Sequence, residues 1–196
     1  MSQPFEFSKA LIFSRNPEPE YSTEERTLLL ELAHESIQSA LQNREIEISV
    51  LSPHLSEPRG VFTTIFLNGA LRGCVGFPNA ILPVHRAVVE TARAAASDDP
   101  RFRPIRMEEA PRLKISVSVL SSLKEISADA VEIGLHGVVI SGHGHRGLLL
   151  PQVPVEHGWD RITFLEQTCL KAGLSPDAWR KDAHIEAFTA EVFSDS

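Results

Sequence analysis

The 196-residue sequence predicts an α+β fold, an antiparallel sheet with helices packed on it. Three observations carry this expectation. Asn68-Gly69 stands between two runs rich in β-branched and aromatic residues, the strongest short-range signal for a two-residue hairpin turn. Apolar Leu113, Ile115, Val117 and Val119 alternate with polar Lys114, Ser116 and Ser118, the period of a half-exposed antiparallel strand. Helical periodicity is confined to few segments, so most strands follow one another through hairpins rather than through the helical crossovers a parallel sheet needs.

Taken in order, Asn16-Pro17-Glu18-Pro19-Glu20 sets residues 1–20 apart as an N-terminal arm. Ser22-Thr23-Glu24-Glu25 has the form of a capping box ahead of Leu30, Ala33, Ile37 and Leu41, which recur at helical spacing. The hairpin comprises strands over 61–67 and 70–77. Pro83 suits the start of a second helix with Val84, Val88, Thr91, Ala92 and Ala95 on one side, stopped at Asp98-Asp99-Pro100. Its alanines point to close packing on a sheet. After the alternating strand, with its polar face expected in solvent, residues 137–141 and 147–150 form two strands around a Gly-His-Gly-His-Arg-Gly turn. Residues 159–172 form a helix ended by Gly173, and 185–193 return to strand. The expected organisation is a single domain over 1–196.

Composition excludes several functions. A net charge of −7 disfavours phosphate backbones, so no DNA partner is expected. Apolar runs are far short of the ~20 residues a membrane span needs. Residues 1–13 carry Glu6 and Lys9 within their apolar stretch rather than the basic-then-apolar order of a secretory leader, so the expected location is cytoplasmic. No phosphate loop, dinucleotide glycine pattern or serine-centred elbow occurs at its required spacing, and no cofactor is expected. Two cysteines are too few for a thiolate zinc site.

The chemistry concentrates at Cys74. A two-residue loop at Asn68-Gly69 places Thr63 opposite Cys74 and Ile65 opposite Arg72, with Arg72 and Cys74 on one face. A cation beside a sulfur favours thiolate, the form that attacks electrophiles. Gly73 and Gly76 bracket the thiol without side chains, leaving space for another backbone or a ligand. Packing as a small buried hydrophobe is the competing reading of Cys74.

Leu71-Arg72-Gly73-Cys74-Val75-Gly76 resembles the signature hexapeptide of the AMMECR domain family, preceded by Gly60-Val61-Phe62-Thr63-Thr64. Further segments agree in order, among them Asp99-Pro100-Arg101-Phe102, Gly158-Trp159-Asp160, Cys169-Leu170-Lys171-Ala172-Gly173-Leu174 and Glu191-Val192-Phe193, so the resemblance spans roughly 28–193. It implies an α+β fold of a larger and a smaller lobe with the Arg-Gly-Cys segment near a cleft. A stand-alone chain of this size is similar to the A component of the AmmeMemoRadiSam system, which accompanies a Memo-like protein and a radical SAM protein. The resemblance implies no demonstrated reaction.

Asp99 and Arg101 are read either as a polar cluster at the cleft or as a cap on the preceding helix. His143 and His145 could chelate a metal from their turn, but no third ligand is evident and no metal is expected. Cys169 shares helical spacing with Ile162, Leu165 and Ala172, the pattern of core packing. Two functions follow. In the first, Cys74 and Arg72 are catalytic and Thr63, Gly73, Gly76, Asp99 and Arg101 line the site. In the second, the chain is a non-catalytic module that docks a protein partner.

Overall fold

A computed structural model describes residues 19–46, 48 and 52–195, so most of the expected arm lies outside the described residues. The fold is α+β, with four α-helices and two four-stranded sheets among those residues. The described chain forms two compact units, residues 19–120 with 191–195, and residues 121–190.

The larger unit begins with α1 (Thr23–Leu41). Its capping box is closed in both directions: the Ser22 hydroxyl accepts from the Glu25 amide at 3.2 Å, and the Glu25 carboxylate accepts from the Ser22 amide at 3.0 Å. These bonds satisfy two of the amides a helix start leaves orphaned. Strands β1 (Gly60–Leu67) and β2 (Ala70–Phe77) follow, with Asn68 and Gly69 at φ of 52° and 80°, the left-handed pair a two-residue turn requires.

Helix α2 (Val84–Ser97) buries Val84, Val88, Thr91, Ala92 and Ala95, as its spacing predicts. Strand β3 (Leu113–Leu120) pairs antiparallel with β1, and the sheet order is β2-β1-β3-β8, with β8 spanning Ala190–Ser194. The apolar face of this sheet closes on both helices through Val61, Ile65, Ile115 and Val117, all essentially inaccessible to water. Each such valine or isoleucine contributes about 1.5–3 kcal/mol by leaving water. The polar face of β3 is less solvated than expected: Lys114 is exposed, but Ser116 is half-buried and Ser118 is buried.

The smaller unit holds a sheet of order β4-β7-β5-β6, formed by Lys124–Glu125, His184–Phe188, Gly137–Gly142 and His145–Leu149 in that order. Helices α3 (Gln152–His157) and α4 (Arg161–Lys171) complete it. Asp160 caps α4, accepting from the Thr163 amide at 2.7 Å, and Gly173 takes the left-handed conformation just beyond its end. The expected strand over 185–193 is two strands, β7 and β8, one in each sheet. The turn between β5 and β6 is shorter than expected, because Gly142 pairs with His145 and leaves only His143 and Gly144 in the loop. No described helix is long and apolar enough to cross a membrane.

Candidate functional site

The hairpin register decides what surrounds Cys74. Near the turn the pairs are Leu67 with Ala70 and Phe66 with Leu71, but beyond a bulge they become Ile65 with Gly73 and Thr64 with Cys74. Arg72 is the extra residue of that bulge. The expected pairing of Thr63 with Cys74 is therefore corrected by one position, which exchanges the two faces of β1 along this stretch. Thr64, not Thr63, faces the thiol, and its hydroxyl donates to Cys74 Sγ at 3.3 Å. Thr63 is fully buried instead, its hydroxyl 2.7 Å from that of Thr91 on α2. Because Thr91 passes its proton to the Ala87 carbonyl at 2.7 Å, Thr63 is left as the donor of that pair.

Strand β2 is the edge of its sheet, and the outward amide and carbonyl of Cys74 are both taken up by side chains. The amide donates to Asp99 Oδ2 at 2.8 Å, and the carbonyl accepts from Arg101 Nη2 at 3.2 Å. Asp99 and Arg101 thus substitute for the missing neighbouring strand and close an edge that would otherwise be open to pairing. They also hold each other: Arg101 donates to Asp99 from Nε at 3.0 Å, from Nη2 at 2.7 Å and from its amide at 3.1 Å. The pair is asymmetric, with the Asp99 side chain 3% exposed and that of Arg101 56%. Arg101's hydrogen bonds, followed by the Cys74 and Arg101 amides, hold the Asp99 carboxyl far below the usual carboxylate range despite burial.

Asp99 does not cap α2, since Asp98 occupies that position; Asp99 and Arg101 instead bind each other and the Cys74 backbone. Arg101's charge is reinforced first by Asp99, and the Cys74 side chain adds smaller contributions of the same sign through charge and hydrogen bonding. The hydrogen bonds of the guanidinium go to Asp99 and the Cys74 carbonyl.

Arg72 has a different task. Its Nε and Nη2 grip both oxygens of Glu109 at 3.0 Å, and its remaining donors reach the Arg103 and Pro104 carbonyls at 2.7 and 3.2 Å. The Arg72 fork pulls the Glu109 carboxyl below its ordinary range, aided by the Arg106 amide at 2.7 Å. Arg72 is thus committed to a carboxylate and two carbonyls, and the cation that hydrogen-bonds Cys74 is Arg101, at the backbone carbonyl.

Gly73 and Gly76 make space for the protein itself. A Cβ on Gly73 would lie 2.1 Å from the Ala95 carbonyl oxygen of α2, and one on Gly76 would lie 2.1 Å from the Phe62 ring. The structure brings Cys74, Asp99 and Arg101 together, adds Thr64, and leaves Arg72 and Thr63 in neighbouring roles. Thr64 carried no sequence signal because no residue type marks a bulge at Arg72.

Elsewhere, His143 contacts Asp182 at 2.8 Å with both side chains exposed, and no group of three or more metal-ligating residues is assembled among the described residues. Cys169 is fully buried on α4 beside Phe164, Leu165 and Thr168, and burial pushes its thiol up. Ile162, expected in the same stripe, is 46% exposed in the first turn of α4.

The family model AMMECR1 matches residues 30–193. This chain belongs to the AMMECR1 family. Protein MK0488 of Methanopyrus kandleri is 45% identical over 184 residues, covering 88% of this chain and 89% of that one. Protein PH0010 of Pyrococcus horikoshii is 41% identical over 181 residues, covering 85% and 88%. The crystal structure of the latter, titled an uncharacterized protein, matches with a TM-score of 0.74 at 40% identity over 86% of this chain and 90% of that one. Two segments that carry the AMMECR1 resemblance, Leu71 to Gly76 and Asp99 to Phe102, meet at Cys74 through the bonds from its amide to Asp99 and from Arg101 to its carbonyl.

Proposed function

We propose that this AMMECR1 protein acts through the thiol of Cys74, as a cysteine-dependent enzyme or enzyme subunit of the cytoplasm working with a Memo-like and a radical SAM protein. The observation that carries the reading is the set of groups on the half-buried Cys74: a hydroxyl donor from Thr64 to its sulfur and the guanidinium of Arg101 on its carbonyl. A sulfur that attacks an electrophile does so as an anion, and these are the two kinds of neighbour that stabilise negative charge. Thr64 and Arg101 assist the sulfur, and Asp99 fixes the cation. The partners and the location are carried by the resemblance to the A component of the three-protein system, not by the geometry.

The test is timed alkylation with iodoacetamide in the folded protein, read by peptide mass spectrometry. Cys74 labels readily, and Thr64→Val and Arg101→Gln each slow it several-fold while the fold, followed by circular dichroism, is kept. Labelling indifferent to both substitutions would remove the reading.

A second reading, a docking module with no chemistry of its own, is favoured by one observation. Among the described residues the hydrogen bond to the sulfur comes from Thr64, which is not a general base. Under that reading Cys74→Ala leaves binding of the Memo-like partner unchanged; under the first, binding persists but the joint reaction stops.

A further inference from the structure

Resting on the thiol reading, the inference concerns what approaches the sulfur. Arg101 is divided in its commitments. Nε and Nη2 are turned to Asp99, Nη2 also reaches the Cys74 carbonyl, and no hydrogen bond among the described residues uses Nη1. Asp99 is buried behind it while more than half of the Arg101 side chain meets solvent. Nη1 of a firmly held, half-exposed guanidinium is therefore left without a hydrogen bond among the described residues, on a group whose Nη2 sits 3.2 Å from the Cys74 carbonyl.

We infer that Arg101 is the recognition group for a carboxylate carried by a small electrophile that meets Cys74, and that Asp99 is the residue positioning it. A guanidinium N–H suits an oxyanion, and clamping the Nε–Nη2 edge in advance removes the side-chain ordering that would otherwise weaken recognition at Nη1. Charge selects carboxylate over phosphate. Asp99 neutralises Arg101 at long range and its oxygens lie within 3.1 Å of the Arg101 nitrogens, so a doubly charged group is repelled more than a singly charged one. Recognition is thus a contact effect of modest size, not long-range steering.

The experiment compares iodoacetate with iodoacetamide. In both reactions the Cys74 sulfur anion forms a bond to the methylene carbon as the carbon–iodine bond breaks and iodide leaves, so the reagents differ only in the charge they bring. The iodoacetate-to-iodoacetamide rate ratio at Cys74 is measured in folded protein and, as reference, in the same protein unfolded in urea. The ratio is expected to be about 3- to 10-fold higher when folded, the scale of one charge-assisted hydrogen bond. Arg101→Gln returns it to the unfolded value and Arg101→Lys restores part of it. Asp99→Asn lowers the ratio without an equal loss of iodoacetamide labelling, a selectivity that simple destabilisation would not produce. A folded ratio at or below the unfolded one, or a raised ratio that survives Arg101→Gln, overturns the inference. Cys74 labelling by iodoacetamide no faster than that of Cys169 would instead defeat the thiol reading beneath it. Should Asp99→Asn fail to fold, the Arg101 variants decide the carboxylate question alone.

Discussion

Each unit contains a hairpin closed by two left-handed residues, Asn68-Gly69 in one and His143-Gly144 in the other. In each, the second strand carries a glycine pressed against helix-end backbone: Gly73 under Ala95, and Gly147 under Ala172. Beyond the turn the two hairpins diverge. From Gly142 with His145 out to Val138 with Leu149, the β5-β6 register never changes, whereas β1-β2 slips by one at Arg72. The slip places Cys74 opposite Thr64 rather than Thr63, which turns to the core, and the Asp99-Arg101 pair seals the edge outside it. A shared turn chemistry therefore does not fix what surrounds a strand residue; one inserted residue and one edge clamp do.

The glycines test what the hairpins share, and should give the largest effects. A methyl at Gly73 meets carbonyl oxygen at 2.1 Å and at Gly147 meets an amide nitrogen at 2.3 Å, both backbone atoms of a packed helix end that cannot swing aside. Gly73→Ala and Gly147→Ala should each cost about 3 kcal/mol or more in urea denaturation. A cost below about 1 kcal/mol at either would mean that the helix can lift off its strand.

The two cysteines test what differs. Cys74 is half-buried on a strand edge, whereas Cys169 is sealed in the core with its thiol pushed up by burial. Alkylation of Cys169 requires an opening of the smaller unit, so Cys74 should label about 100-fold faster or more at neutral pH. Comparable rates would place Cys74 among packing residues.

Next in size is the edge clamp. Asp99→Asn removes a buried charge from its guanidinium partner and should cost about 2 kcal/mol near neutral pH. The sign with pH follows from the depressed carboxyl. Its stabilisation is complete above the unfolded value of about 4 and is lost as pH falls toward its lower folded value. The gap between wild type and variant, followed by thermal unfolding, should narrow below about pH 4. A constant gap would assign the cost to shape rather than charge.

What could be read in advance divides along the same line. The Asn-Gly turn, the Ser22 to Glu25 box and the apolar side of α2 were legible because each is local: the residues that specify them touch within a few positions. The bulge was not, since Arg72 has nothing in its backbone chemistry that demands one, and the partner its side chain grips, Glu109, lies 37 positions away. The grouping of Cys74 with Asp99 and Arg101 was available only as two segments of a family resemblance, and periodicity could not have joined them. Helix α3 was missed because Pro154 interrupts a six-residue element too short to show a period. At Thr63 and Thr64 the error was one of register, which turns a site residue into a core residue without altering either strand.

The smallest expected effect separates the two arginines. Arg72 and Glu109 are each less than a fifth exposed and share two parallel hydrogen bonds, while Arg72 also steadies the carbonyls of Arg103 and Pro104. Arg72→Met keeps much of the aliphatic packing but leaves those oxygens without their donors, and the loss should be about 1–2 kcal/mol. Arg72 holds Glu109 below its ordinary range, so this contribution too is present above about pH 4 and fades as the carboxyl protonates, giving a variant whose deficit shrinks in acid. The thiol should hardly notice. Since Arg101 is the cation that hydrogen-bonds Cys74, at its carbonyl, iodoacetamide labelling in Arg72→Met should stay within about twofold of wild type, while Arg101→Gln slows it several-fold. Equal slowing in the two variants would mean that the bulge transmits Arg72 to the sulfur after all, through the strand rather than through space.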